Sequence, residues 1–344
     1  MGLRAARAMK VAVMGMGVAG SYLVARLAAA GHEVTGFERA AEERHDSICA
    51  WGTIKGELEG FCGRAGMDFA RYLIHDGKRM QVRMSDGSEF GIGLSGLCTY
   101  DKLRLIKDLL AGHDVRYGSA PPLSELDGYD RVVDCTGFHR SYLPKLEQDF
   151  FLPTYEHKVV YEGGVPFEDF YIEPFPGMSG YFWYFPLGEN AAHVGAGDYN
   201  KGHIKAVDGF VREHGGRIVQ TKGRPIRLAT PDMCRPYSSG KVVGVGESIG
   251  TVYPLLGEGI IPSMQCADIF MEHLDDVPAY ERAVEKHYEV YGRVFRFVRA
   301  KIRRDFSVVR SLPDLLTIFR YMKRNEARFG MEIRMGNLLK VARA

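Results

Sequence analysis

Several signatures that would settle a function class at once are missing from this chain. None of its six cysteines (Cys49, Cys62, Cys98, Cys135, Cys234 and Cys266) stands in a C-x-x-C pair. That argues against a zinc ribbon, an iron–sulfur cluster or a disulfide framework and suits a reducing cytosol. The eleven histidines show no H-E-x-x-H or other metal spacing, so no metal site is expected. Neither a G-x-S-x-G elbow nor a Walker A loop is present. No apolar run reaches the roughly eighteen to twenty residues of a membrane span. The N-terminal MGLRAARAMK is basic but has no separate apolar h-region, because the apolar segment behind it reads as a strand. A cytoplasmic protein is expected, with any membrane contact peripheral. The net charge of +2 is too small to argue for nucleic acid, and internal repeats and low-complexity linkers are lacking too.

What the chain does have is size and one complete motif. With 344 residues, 46% of them hydrophobic, it can bury a large core in two packed lobes. Lys10 to Arg39, KVAVMGMGVAGSYLVARLAAAGHEVTGFER, reads as strand, glycine turn, helix and strand, with Gly15, Gly17 and Gly20 spaced G-x-G-x-x-G. Gly15 permits the tight turn, Gly17 lets a pyrophosphate approach the backbone, and Gly20 lets the helix pack closely on the strand. The N–H groups of the helix that opens at Val18 and Ala19, and its dipole, face the phosphates. Glu38, followed by Arg39, closes the second strand where a carboxylate accepts hydrogen bonds from an adenosine ribose.

Further along, MQVRMSDGSEFGIGL carries a hairpin signal at Asp86-Gly87, and YDKLRLIKDLL has helical spacing. GYDRVVDCTGFHRS is a strand ending in a glycine turn at Gly137, the edge where ligands bind in a parallel sheet. From Phe151 to Pro186 the chain is dense in Phe, Tyr, Trp and Pro, which favours antiparallel strands. KVVGVGESIGTVYPLLGEG then supplies a late strand, an acid at its end (Glu247) and a turn into the helix IIPSMQCADIFMEHL. The fold class expected is α/β. A discontinuous Rossmann-like domain spans residues 1–150 and 231–279, an antiparallel β domain spans 151–230 with strands from about 75–98, and a helical region spans 280–344.

These segments together resemble the geranylgeranyl reductase family of flavoproteins, within the p-hydroxybenzoate-hydroxylase-like group. GMGVAGS with Glu38 and Arg39 is shared by many flavoproteins. Cys49 followed by Gly52 is similar to the cysteine-glycine segment that the family places near the flavin. GYFWYFPLGENAAHVGAG is similar to its aromatic Y-x-W-x-F-P strand pair beside the substrate tunnel, and GVGESIGTVYPLLGEGI resembles its G-D-A-A-G…P…G-E-G-I flavin motif. The resemblance implies an FAD-dependent reductase that saturates carbon–carbon double bonds of isoprenoid lipids or prenyl chains. It puts Gly246, Glu247, Gly257, Gly259 and Ile260 at the flavin, with Glu247 on the ribityl chain in place of the usual aspartate. Lys102 stands near the phosphates in place of arginine. With one complete dinucleotide motif, the electron donor, a ferredoxin or NAD(P)H, is expected to dock transiently.

For individual residues two readings stand side by side. Cys49 either protonates the substrate carbon or shapes the flavin's face, and free cysteine is otherwise a small buried hydrophobe. Tyr181, Trp183 and Phe185 share one sheet face and Phe182 and Tyr184 the other. One face is plain core, and the other, with Trp51, is expected to meet the prenyl chain. The basic C-terminal segment, including Arg293, Arg296, Arg299, Lys301, Arg303 and Arg304, is either a solvated helix face or a surface for anionic lipid or an acidic donor. The alternative within the same fold is a class A flavin monooxygenase or halogenase, since Y-F-W-Y-F-P is a near miss to the halogenases' W-x-W-x-I-P.

Overall fold

The computed structural model describes residues 8–46 and 49–343. Most of the basic N-terminal stretch, and Ile48 beside Cys49, lie outside them. The first strand, Lys10–Met14, is buried from Val11 onward, as a strand covered on both faces requires. Glu33–Glu38 and Arg131–Asp134 flank it in parallel. Beyond them lie Asp114–Tyr117 on one side and Val242–Gly244 with the short Ser238–Ser239 on the other. The register pairs Met14 with Phe37 and Asp134, and Asp134 with Gly244. Four carboxyl ends, one of them more than two hundred residues downstream in sequence, therefore share one edge, where the crevice of an open α/β sheet forms.

Two helices pack side by side on this sheet, Val18–Ala29 and the late Ile260–Glu272. A polar clamp joins them: the Tyr22 hydroxyl donates to Asp268 at 2.8 Å, while Arg26 and Arg64 each pair with Asp268 at 3.0 Å.

The second sheet has seven strands, in the order Arg217–Arg227, Phe151–Val160, Ala191–Asp198, Gly180–Pro186, Phe170–Pro174, Arg79–Arg83 and Glu89–Gly93. All neighbours are antiparallel except Phe170–Pro174 beside Arg79–Arg83, which is parallel. The Asp86-Gly87 hairpin joins this sheet at its edge. The other strands of the 75–98 region do not, because Leu73–Asp76 and Leu97–Tyr100 pair with Gly52–Ile54 in a small sheet of their own. Helix His203–His214 covers one face of the large sheet, where Phe182 and Tyr184 meet Tyr161 and Phe210.

The C-terminal region contains helices Val277–His287, Glu289–Ile302, Val308–Arg324, Glu326–Phe329 and Met335–Arg343. It is not helical throughout. Gly330, at φ +61°, ends one helix, and the next residues run extended along the edge strand: Leu97 N–H donates to Gly330 O at 3.2 Å and Glu332 N–H to Gly93 O at 2.8 Å. A Cβ on Gly330 would stand 2.7 Å from the Leu97 nitrogen, so the close approach needs glycine. Among the described residues no helix is long and apolar enough to cross a membrane.

Candidate functional site

Each glycine of the first turn has its own geometric reason. Gly15 has φ +92°, and a Cβ there would stand 2.8 Å from the Cys135 carbonyl oxygen. A Cβ on Gly20 would stand 1.9 Å from the Gly15 oxygen, which is helix-on-strand packing away from the cavity. A Cβ on Gly17 would meet nothing within 4 Å, and Gly17 lines the cavity with Gly15, Val18, Ala19, Glu38 and Arg39. Glu38 is pinned by two backbone donors, Met16 N–H and Ala40 N–H, each at 2.9 Å. Lys102, first residue of helix Lys102–Leu110, also lines the cavity. It is 6% exposed and has no ion pair with any described residue. A buried ammonium without a carboxylate calls for an anion from elsewhere.

At the late strand's end, Glu247 reaches the cavity beside Gly137, but its carboxylate is already engaged. It accepts Arg227 N–H at 2.9 Å and pairs with the Arg224 guanidinium. A ribityl hydroxyl would have to use the lone pairs that remain. Gly246, at φ +77°, packs on Ala19 and Ser263 and is not part of the wall.

Gly257, Gly259 and Ile260 do line it, at the start of helix Ile260–Glu272. The helix's first turn is not wholly free for a ligand. Glu258 accepts Ile261 N–H at 3.1 Å through one oxygen, and Arg328 donates to the other at 2.6 Å. Burial works against the Arg328 charge, yet Glu258 and nearby tyrosines hold its pKa above the ordinary value.

The strand Gly180–Pro186 splits its faces as alternation requires. Tyr181, Trp183 and Phe185 point into the cavity, and Phe182 and Tyr184 into the core under helix His203–His214. Burial pushes the Tyr181 phenol up, so it stays protonated and donates to Leu256 O at 2.5 Å, tying the aromatic strand to the turn before Gly257. Cys49 is half-buried on the wall. Trp51 is not on the wall. At φ +59° it turns to pack edge-on against His193, with ring centroids 5.0 Å apart, beneath Lys158.

The cavity that joins all these groups has a volume of about 880 Å³, near the top of the usual range for small-molecule sites. Much of its far wall was invisible in the sequence. Met322, Phe329, Met331, Ile333, Leu338 and Val341 all come from the region read as a basic outer helix. The alternating Phe329, Met331 and Ile333 around Gly330 are the one trace of it in the chain.

Comparison with known proteins agrees with this architecture. Residues 10–89 match the model of the NAD binding domain of 6-phosphogluconate dehydrogenase. Digeranylgeranylglycerophospholipid reductase 1 of Methanopyrus kandleri is 26% identical over 349 residues, covering 89% of this chain and 91% of that one. Digeranylgeranylglycerophospholipid reductase 2 of Methanothermobacter thermautotrophicus is 33% identical over 106 residues, 29% of this chain and 27% of that one. Among solved structures, a geranylgeranyl bacteriochlorophyll reductase-like protein from Thermoplasma acidophilum superposes with a TM-score of 0.72 at 17% identity, covering 97% of this chain and 96% of that one. A probable FAD-dependent monooxygenase from Pseudomonas aeruginosa gives 0.64 at 15% identity (90% and 99%), and the flavin-dependent halogenase CmlS 0.65 at 18% (98% and 76%). The fold is the α/β flavoprotein fold with a Rossmann-type dinucleotide-binding sheet, and the resemblance to geranylgeranyl reductases extends over most of the chain.

Proposed function

We propose that this protein is an FAD-dependent reductase that saturates carbon–carbon double bonds of a geranylgeranyl-type isoprenoid lipid. The observation that carries the reading is the continuity of the cavity, which runs from Gly17, Glu38 and Lys102 to Trp183, Phe329 and Leu338. A dinucleotide and a long apolar chain would share one wall.

The residues present fit that cofactor. Gly17 leaves bare backbone for a pyrophosphate to approach, Lys102 is buried with no ion pair among the described residues, and Glu38, held by backbone amides, would take the ribose. When bound, FAD supplies hydride. This chain's residues do the remaining work: the first helix and Lys102 hold the phosphates, and Gly137, Gly257 and Gly259 give close backbone approach along the middle of the cavity. The Tyr181, Trp183 and Phe185 face, with the C-terminal apolar wall, keeps the prenyl chain and the reacting carbons out of water. Cys49 also sits on the wall.

The reductant, NAD(P)H or a ferredoxin, docks transiently. Helix Glu289–Ile302 buries Val294, Phe295, Phe297 and Val298 and exposes Arg293 and Arg296, with Arg303 and Arg304 just beyond. That face suits an acidic donor or the headgroups of a membrane touched peripherally. The reading is tested by recording the absorption spectrum of the purified protein, identifying co-purifying lipid by mass spectrometry, and mixing the anaerobically reduced protein with a digeranylgeranylglycerophospholipid. Flavin oxidation with a two-hydrogen gain in lipid mass supports it. A colourless protein that takes up no FAD, or one whose reduced flavin reacts only with oxygen to give hydroxylated or halogenated product, overturns it.

A further inference from the structure

Among the described residues the cavity wall holds one carboxylate that is itself buried, Glu156, 5% exposed on strand Phe151–Val160. The sheet register puts Trp183, Gly195 and Glu156 side by side on three adjacent strands. Because Gly195 has no side chain, the Trp183 indole lies across it, and a Cβ there would stand 2.4 Å from Cζ2. The indole N–H thereby reaches one Glu156 oxygen at 3.3 Å. The other oxygen lies 3.0 Å from Nδ1 of His193, which is 2% exposed and covered by Trp51. The pair is close but misaligned, since neither ring nitrogen of His193 makes a properly directed hydrogen bond. A buried acid beside a buried imidazole with unsatisfied nitrogens is costly to keep for packing alone. It is well suited to hold one mobile proton at a water-poor wall.

Resting on the reductase reading above, we propose that Glu156 is the catalytic acid that protonates the alkene, with His193 as the positioning residue that orients and recharges it. An isolated trisubstituted alkene is a poor hydride acceptor until a proton is added. Glu156 has an imidazole 3.0 Å behind it with which to share and recover the proton. The balance is simple. The Glu156 O–H bond breaks and a C–H bond forms at the less substituted alkene carbon. Reduced FAD, when bound, would supply the hydride and both electrons for the other carbon, and the carboxylate left behind regains its proton from solvent water by way of His193. The positive charge that develops on the substrate lies against the Trp183 and Tyr181 rings, which favour a cation.

The test compares wild type, Glu156→Gln, His193→Gln and Cys49→Ala as FAD-loaded full-length proteins. Each is reduced with dithionite under anaerobic conditions and mixed with digeranylgeranylglycerophospholipid in detergent micelles. Flavin absorption and lipid KM are recorded alongside the single-turnover rate. Glu156→Gln is expected to keep the flavin spectrum and a KM within threefold of wild type while its rate falls at least about 100-fold. His193→Gln is expected to lose about tenfold in rate with KM unchanged, a split that a merely structural role would not produce. A Glu156→Gln rate within threefold of wild type, or a loss confined to Cys49→Ala, overturns the assignment while leaving the reductase reading intact. A wild-type protein inert toward the lipid overturns both. Should Glu156→Gln fail to take up FAD, Trp183→Phe, which removes the indole N–H with part of the ring and keeps an aromatic face, decides the matter. An unchanged rate there overturns the assignment and a reduced rate at constant KM supports it.

Discussion

At the end of the cavity bounded by Gly15 and Glu38 part of the wall is bare backbone. Gly15, Gly17 and Gly137 carry no side chain there, two amides hold Glu38, and the first βαβ unit is joined by Lys102. The end bounded by Trp183 and Phe329 is mostly side chain, gathered from the large sheet, the Asp86-Gly87 hairpin and the last twenty-odd residues of the chain. A wall of backbone tolerates change around it but not within it. A wall of side chains can be reshaped piece by piece, so one fold serves many substrates.

The sharpest way to break this contrast is inside the glycine turn, where two neighbouring glycines should fail differently. Gly20→Val places a branched side chain where even a Cβ would be 1.9 Å from the Gly15 oxygen. It is expected to abolish folded protein, read by circular dichroism and expression yield. At Gly17→Asp the new Cβ meets no protein atom within 4 Å. It is expected to fold with the wild-type apo Tm and to lose roughly 100-fold or more in FAD affinity, because its carboxylate would sit beside the pyrophosphate. Equal FAD affinity in Gly17→Asp would mean the cofactor's phosphates lie elsewhere.

A second break is at the joint between the ends. Arg328 and Glu258 are 10% and 14% exposed, so removing only the cation strands a nearly buried carboxylate. Arg328→Leu is expected to cost on the order of 3 kcal/mol in urea unfolding, and Glu258→Gln in the same chain should recover much of it. No recovery would mean that Arg328 acts through packing alone. The smaller Trp183→Ala change should leave FAD binding untouched and cut turnover of long-chain lipid by about tenfold or more.

The two ends also differ in how far the sequence revealed them. The strand, glycine turn, helix and acid of Lys10 to Arg39 were readable because every part is local and contiguous. The alternation of Tyr181, Trp183 and Phe185 against Phe182 and Tyr184 was readable because a pleat fixes it. Trp51 was expected on the substrate side and instead braces His193, since its backbone conformation at φ +59° cannot be foreseen from neighbours. The Glu258–Arg328 pair joins residues seventy positions apart. Glu156 sits on a strand with no motif of its own, and only the register with Gly195 brings it beside Trp183. The C-terminal wall was hidden because basic residues dominate its composition, while the chain turns its few apolar residues inward at Gly330.

The cysteines put the same contrast on a finer scale. Cys49 is half-buried on the cavity wall, whereas the other five are buried. Burial pushes the Cys266 thiol up to about 11 and those of Cys62, Cys98 and Cys234 to about 12, and it raises Cys135 as well. Only the thiolate reacts, so at pH 8 a disulfide reagent should titrate one thiol in the native protein and all six in urea. Loading FAD or lipid should slow that single reaction if Cys49 faces either of them, and an unchanged rate would remove it from the wall. The raised values also fix how stability depends on pH. A thiol held neutral in the fold and free to ionise in the unfolded chain gives a contribution fully present below the unfolded value of about 9, which is lost as pH climbs toward the folded values of 11 to 12. The urea midpoint should therefore be insensitive to these thiols up to about pH 9 and fall above it. Cys49→Ala should leave that alkaline fall in place, whereas Cys266→Ala, which removes the buried thiol that accepts Gly246 N–H, should make it shallower.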